Sequence, residues 1–316
     1  MAINHPALKE TPFLSVHLAN KCINNTVLVW GEKPLSRVLG FFAKGIGKKV
    51  TYCEDGFVSY IGHPATGSKR LSLLLDSRGC YYNRNSETDL EVALKKVSTS
   101  KEDEVALQRF LESGVTKYNT RTDHHAVPLE NSVVIVDQVL GDMSLRYGCK
   151  AKDVGKEMLR FAISLVNPDE EVYLKLHPDS IYKNKKGLFS ELNLDDFPQV
   201  RLIQPDENLS VLSKSNTIIT ATSQFGAEAL LRGAKVHCFG VPFYSHWGLT
   251  TDHDFDEKVW VRRGQKRELT RVELFKGALC DYPSYVNPMT GRKTTLSVTI
   301  QLVIESENNT NTARTI

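Results

Sequence analysis

The chain reads as an α/β protein of two Rossmann-like domains facing a cleft, and three observations carry that expectation. Short apolar, β-branched runs alternate with longer helical patterns, as parallel-sheet proteins require. A polar stretch without periodicity, Lys117 to Asn131, separates two series of βα units of similar size. Polar side chains also gather just beyond the predicted strands, where open α/β sheets bind ligands.

In the first half, Thr26–Trp30 is a predicted strand and Pro34 to Lys44 a helix. Lys49–Cys53 is the next strand, ending in Glu54-Asp55-Gly56, and Leu71–Leu75 is a third. Asp89–Lys96 and Glu102–Gly114 have helical periodicity. The second half restarts with the strand Ser132–Asp137, followed by a loop through Gly148 and a helix over Asp153–Val166. Val172–Leu176, Val200–Ile203, Thr217–Thr220 and Lys235–Phe239 are strands, with a helix over Phe225–Leu231. The domains are therefore placed at 1–130 and 131–304, and the polar residues 305–316 are expected to be a frayed, disordered tail.

The 316 residues, 41% of them hydrophobic, suffice for two cores, and a net charge of +3 is too weak for a nucleic-acid binder. No apolar run approaches the roughly 18 to 20 residues that span a bilayer. The start of the chain, MAINHPALKE, lacks the apolar stretch of a signal peptide. Cys22, Cys53, Cys80, Cys149, Cys238 and Cys280 are scattered without a CxxC, which suits free thiols in a cytoplasmic protein.

Four constellations could carry chemistry. Glu54-Asp55-Gly56 offers two carboxylates at a strand end for acid–base work, with Gly56 permitting a tight turn. Asp137 and Asp142 flank the loop VDQVLGDMS, where a carboxylate could be a nucleophile or simply a helix cap. Lys175 and His177 alternate along a strand toward one side, and could balance a phosphate leaving group. Thr222, Ser223 and Gln224 lie between a strand and a helix, a natural anion site, with Glu228 in that helix within reach of a ribose. No Walker loop or GxGxxG is present. Two overlapping DxD patterns in Asp252–Asp256 could hold a divalent ion but are read as a solvated acidic loop. The run Arg262–Arg267 reads as a solvated basic face that could meet an anionic acceptor or a lipid headgroup.

Together these motifs resemble the KpsC-type capsule Kdo transferases, a group that also includes chain-terminating β-Kdo transferases of O-antigens. The resemblance runs from about Val27 to Gly291 and rests on eight segments in order. They are VLVWGEKP (Val27–Pro34), YCEDGF (Tyr52–Phe57), LDSRGCYYN (Leu75–Asn83), TKYN (Thr116–Asn119), VVIVDQVLGDMS (Val133–Ser144), LKLHPD (Leu174–Asp179), ATSQFGAEALLRG (Ala221–Gly233) and VHCFGVPFYSHWGLT (Val236–Thr250). The resemblance implies a GT-B-like fold and retaining β-Kdo transfer from CMP-Kdo, with no metal or other cofactor. It implies Glu54 and Asp142 as the catalytic pair and His177, Thr222, Ser223 and Gln224 on the donor, to which the reading of the residues adds Lys175 and Glu228. The DQ–GD wording is closer to the amino-terminal module of capsule enzymes than to their second module. Two departures stand out: family members carry an arginine shortly after EDGF, where this chain has Ser59, and capsule enzymes commonly hold two such modules.

The implied partners are a CMP-sugar, an anionic glycan or glycolipid acceptor of capsule or lipopolysaccharide, and inner-membrane capsule assembly proteins met peripherally from the cytoplasm, with no nucleic acid. The competing expectations are a transferase using CMP-sialic acid or a UDP-sugar, and an inactive scaffold module of a capsule assembly complex.

Overall fold

The computed structural model describes residues 6–19, 25–117, 119, 131–203, 217–265 and 267–314. Most of the stretch read as a linker, Lys117–Asn131, lies outside the described residues, as does Cys22. The chain divides into two compact units. The first comprises 1–81, 86–120 and 272–316, and the second 82–85 and 121–271.

In the first unit the short helices α1 (Pro6–Lys9) and α2 (Leu14–Leu18) precede strand β1 (Thr26–Trp30), helix α3 (Pro34–Gly45), and strands β2 (Lys49–Asp55) and β3 (Ser72–Asp76). Helices α4 (Asp89–Lys96) and α5 (Lys101–Ser113) follow. Both are capped by hydroxyls, with Thr88 accepting from the Glu91 N–H and Ser100 joined to Asp103 in a capping box.

The second unit contains strand β4 (Val133–Val136), helices α6 (Met143–Gly148) and α7 (Val154–Ser164), strand β5 (Val172–Lys175), helix α8 (Pro178–Tyr182) and strands β6 (Val200–Ile203) and β7 (Thr217–Thr220). Helix α9 (Gln224–Leu231), strands β8 (Lys235–Cys238) and β9 (Thr251–Asp252) and helix α10 (Glu257–Arg262) complete it. From helix α11 (Arg271–Leu274) the chain returns to the first unit through a π-helical turn (Phe275–Asp281), β10 (Ser284–Val286), β11 (Lys293–Thr294) and α12 (Leu296–Arg314).

The second unit is a doubly wound parallel sheet in the order β6-β5-β4-β7-β8-β9. Its interior strands are apolar along their length, as burial on both faces demands: Val134, Ile135, Ile218 and Ile219 have no accessible surface. Strand order reverses between β4 and β7, the switch point at which such sheets open a crevice beyond their carboxyl ends. The first sheet, β1-β2-β3-β10-β11, is mixed: β1 and β2 pair in parallel and the remaining pairs are antiparallel.

The division differs from the sequence expectation, and residues 82–85, expected in the first domain, belong to the second unit. Residues 272–304 belong with the first unit, because β10 pairs with β3 and the π-helical turn packs on α4, where a Cβ at Gly277 would overlap Leu94. The segment expected to fray from Glu305 is helical through Arg314. Leu296, Ile300 and Val303 anchor α12, and once a helix is nucleated each added residue costs little. Among the described residues no helix is long and apolar enough to cross a membrane. Cys53, Cys80 and Cys238 are buried free thiols, while Cys149 and Cys280 are half-buried and also free.

Candidate functional site

At the switch point of the second unit the loops after β4 and β7 are bonded directly to each other. Gln138, the second residue past β4, accepts from the Thr222 N–H through Oε1 at 2.7 Å and donates through Nε2 to Thr222 Oγ1 at 3.0 Å. Thr222 in turn donates to Ser144 Oγ at 3.0 Å. The Thr222 methyl is wedged between two glycines, since a Cβ at Gly148 or at Gly240 would overlap it. The threonine is thus fixed by its backbone, hydroxyl and methyl, and its hydroxyl serves positioning. Gln138 and Ser144 stand in the quoted DQ–GD segment but carried no assigned role. Their signal was that a glutamine directly follows a strand end at a switch point.

Ser223 caps α9, with Oγ accepting from the Phe225 N–H at 3.2 Å and its carbonyl accepting from the Gly226 N–H at 3.1 Å, which leaves its O–H a donor at the start of the helix. Gly226 is required there by close approach, because a Cβ would overlap the Tyr244 hydroxyl that donates to Ser223 O at 2.6 Å. Glu228 is buried in α9 and accepts from Gln224 Nε2 at 3.1 Å. It orients that amide from beneath.

Lys175 and His177 do not alternate along one strand as expected, because β5 ends at Lys175 and His177 has become the N-cap of α8. Lys175 is buried, with Nζ 5.7 Å from the Phe225 ring centroid, so its ammonium lies against the first turn of α9. His177 Nδ1 accepts from the Asp179 N–H at 3.0 Å. An accepting Nδ1 in a neutral imidazole leaves the proton on Nε2, so the cap fixes the tautomer that presents Nε2–H as a donor. His177→Asn keeps a good N-cap acceptor and removes that donor. If the donor meets a leaving phosphate, turnover should fall about 30- to 1000-fold with the melting temperature nearly unchanged. His177→Ala should show the same kinetic loss plus about 1 kcal/mol of lost capping.

The two aspartates of the β4 loop differ sharply. Asp142 is exposed, caps α6 by accepting from the Ser144 N–H at 2.7 Å, and follows Gly141 in the left-handed region at φ 77°. It therefore touches the same serine that closes the Gln138–Thr222 network. Asp137 is buried and accepts from the Gln138 and Leu188 N–H groups at 2.9 and 2.8 Å, and from the Phe189 and His177 N–H groups as well. Gly187 faces it closely, where any Cβ would overlap the carboxylate.

Burial pushes the Asp137 carboxyl up to about 6, with the backbone N–H groups opposing the shift. A raised folded pKa means the native state holds the proton more tightly. Its contribution to stability is complete below about pH 4 and is lost as pH rises through about 6, a change of about 2 to 3 kcal/mol. Asp137→Asn removes this titration, so the stability of the wild type relative to the variant should fall between about pH 4 and 7 in urea denaturation. A flat difference would place the carboxyl in an ordinary environment.

The Asp252–Asp256 segment is not a solvated loop: its carboxylates are held by protein donors. Arg84 bridges Asp254 at 2.6 Å and Asp256 at 2.5 Å, and Asp252 accepts from the His246 N–H at 2.8 Å and Thr250 Oγ1 at 2.7 Å. Burial pushes the Asp256 carboxyl up, but hydrogen bonds from Arg84 and the Val259 N–H bring it down to about 2. In the basic run, Arg263 is buried against Trp247 with Nη1 donating to Pro242 O at 2.8 Å, and Arg262 donates to Arg84 O at 2.8 Å. Lys266 lies outside the described residues.

In the first unit Glu54 lies within β2 opposite Leu74 and is half-buried, because the strand runs on through Asp55. Strand alternation turns Glu54 and Asp55 to opposite faces. Asp55 is committed to structure, accepting from Arg70 Nε at 2.8 Å and Tyr60 OH at 2.9 Å, while the Arg70 guanidinium stacks 4.9 Å from the Trp30 ring centroid. Gly56 is explained by close approach rather than by a turn: a Cβ would overlap Ser72 Oγ. Ser59 is buried and donates to Gly56 O.

A family model described as capsule polysaccharide biosynthesis protein matches residues 116–285. The capsule polysaccharide modification protein LipA of Neisseria meningitidis serogroup B is 32% identical over 281 residues, covering 84% of this chain and 39% of LipA. The lipopolysaccharide-processing protein LpsZ of Rhizobium meliloti is 32% identical over 247 residues, covering 73% of this chain and 53% of LpsZ. The chain therefore spans between two fifths and about half of the length of these curated relatives. Among solved structures, the β-Kdo 2,4 transferase of Thermosulfurimonas dismutans KpsC superposes with a TM-score of 0.81 at 32% identity, over 94% of this chain and 95% of that one. The β-Kdo 2,7 transferase of the same protein gives 0.66 at 27% identity, over 89% and 85%. The α/β fold class expected from the sequence is the one these transferases have.

Proposed function

This chain belongs to the KpsC-type capsule polysaccharide biosynthesis family, and on that premise we propose that it is a retaining β-Kdo transferase. It takes Kdo from CMP-Kdo and passes it to a glycan or glycolipid acceptor of capsule or lipopolysaccharide assembly. The observation that carries this proposal is the donor cluster at the β4/β7 switch point. There Lys175 ends β5 with its ammonium against Phe225 of α9, Ser223 caps that helix, and His177 caps α8 two residues beyond β5, with no Walker loop in the sequence. A CMP-sugar has a single bridging phosphate, which such a set can neutralise as it leaves. Whole-length similarity to two β-Kdo transferases supports the sugar.

Retention follows from two displacements. An Asp142 carboxylate oxygen attacks the anomeric carbon, and the bond to the CMP phosphate breaks with its electron pair on the phosphate oxygen. The acceptor hydroxyl then attacks the same carbon, Glu54 takes its proton, and the bond to Asp142 breaks to restore the carboxylate. Gln138, Thr222 and Ser144 hold the loops in register, and Gln224, oriented by Glu228, meets the nucleoside.

A donor panel of CMP-Kdo, CMP-sialic acid and UDP-hexoses with an acceptor extract tests the proposal. CMP-Kdo turnover is expected, and turnover of a UDP-hexose with none of CMP-Kdo would overturn it. No turnover of any donor would point to a scaffold module. Activity should also persist in EDTA, since Arg84 occupies the Asp254 and Asp256 carboxylates. Loss in EDTA that magnesium or manganese restores would instead assign a metal role to the acidic segment.

A further inference from the structure

Helix α3 of the first unit is packed with its small residues inward. Ser36, Gly40 and Ala43 are buried against β1 and β2, with Ala43 packing on Val29 and Val50. The large side chains point out: Leu35 and Val38 are more than half exposed, Phe42 is 65% exposed, and Phe41 and Ile46 reach 76% and 71%. An ordinary surface helix does the reverse. Single exposed apolar residues need no account, but five on one helix and its cap form a patch that does.

The charges around the patch say what it meets. Lys33, Arg37 and Lys44 are exposed and recur at spacings of four and seven residues, which sets them in one stripe along the flank of the apolar face. Lys48 and Lys49 follow at the C-terminal end. Between Lys33 and Cys53 there are five basic and no acidic residues, whereas the rest of the chain holds 35 basic and 37 acidic side chains. The excess positive charge of the protein is therefore matched by this one segment, from the cap of α3 to the start of β2. Apart from those basic side chains, the outward face is apolar and carries no carboxylate. Apolar side chains between basic ones fit an anionic bilayer, where the rings enter the acyl boundary and the lysine stems reach back to phosphate.

We propose that α3 docks this unit on a membrane surface rich in anionic phospholipid. The inference stands apart from the transferase assignment, because its test reads binding and not turnover. The full chain is floated with vesicles of equimolar phosphatidylglycerol and phosphatidylcholine, and with vesicles of phosphatidylcholine alone. Wild type should rise with the first and not the second, and added salt should weaken it. The double variant Phe41→Ser, Phe42→Ser should lower the partition at least about tenfold through lost apolar burial. Lys44→Glu with Lys49→Glu should do the same through charge. All four side chains are exposed, so melting temperatures should match wild type and separate lost binding from lost folding. Wild type that floats with neither vesicle, or variants that float as well as wild type, would overturn the proposal. A wild-type dimer that the phenylalanine variant converts to monomer, without vesicle binding, would assign the face to a second copy of the chain.

Discussion

Asp142→Asn should fold, bind CMP with near-normal affinity and lose sugar transfer by about 10⁴-fold or more. The structure makes this substitution clean. Asp142 Oδ1 accepts from the Ser144 N–H at 2.7 Å, and asparagine caps as well as aspartate, so α6 and the Ser144 link to Thr222 survive. What disappears is an anionic oxygen able to attack the anomeric carbon. The side chain is exposed at the carboxyl end of the sheet, beside the cluster proposed to hold the leaving phosphate. Melting temperature, CMP titration and transfer rate, measured on one preparation, separate the three properties. A variant that retains transfer would remove Asp142 from the mechanism. Asp137 makes the contrast informative: buried and held by backbone N–H groups, it should answer substitution mainly in stability.

Glu54→Gln should lower turnover about 10²- to 10⁴-fold, the usual contribution of a positioned acid–base group. Its neighbour cannot substitute, since Asp55 points to the other face of β2 and is tied to Arg70 and Tyr60. The two steps give the loss a distinctive form. Attack by Asp142 and departure of CMP need no acceptor proton removed, whereas the second displacement does. Glu54→Gln should therefore release CMP in a burst of about one per enzyme and then stall, as covalent intermediates do when their breakdown is blocked. A uniform slowing without a burst would place Glu54 in the first step or outside the chemistry.

Much of the fold was legible because its signals are local. β1, β6 and β7 have the bounds their apolar, β-branched runs suggested, and α4 falls where its periodicity put it. The C-terminal return was not legible. β10 is three residues long and gains its identity from β3, more than two hundred positions away, so nothing in its own neighbourhood marks it. β2 was read short because Glu54 and Asp55 look like the end of a strand, while Arg70 lets Asp55 remain within one. Asp142, His177 and the Thr222–Gln224 loop lie just past strand ends, which is why residue type alone singled them out as candidates. The bridge from Gln138 to Thr222 required three-dimensional proximity across segments far apart in sequence, whereas the cap of His177 is local, made to the Asp179 N–H two positions on, and depends on β5 having ended at Lys175. The same limit hid α3: its periodicity reveals two faces, but which one turns inward depends on the space left beside β1 and β2.

The most direct test is mass spectrometry of Glu54→Gln incubated with CMP-Kdo and no acceptor, followed by peptide mapping. The mechanism requires one Kdo residue bound covalently, on the peptide carrying Asp142, absent when Asp142→Asn is added. A Kdo residue found on Asp137, or CMP released with no adduct on either aspartate while Asp142→Asn still transfers sugar, would contradict it.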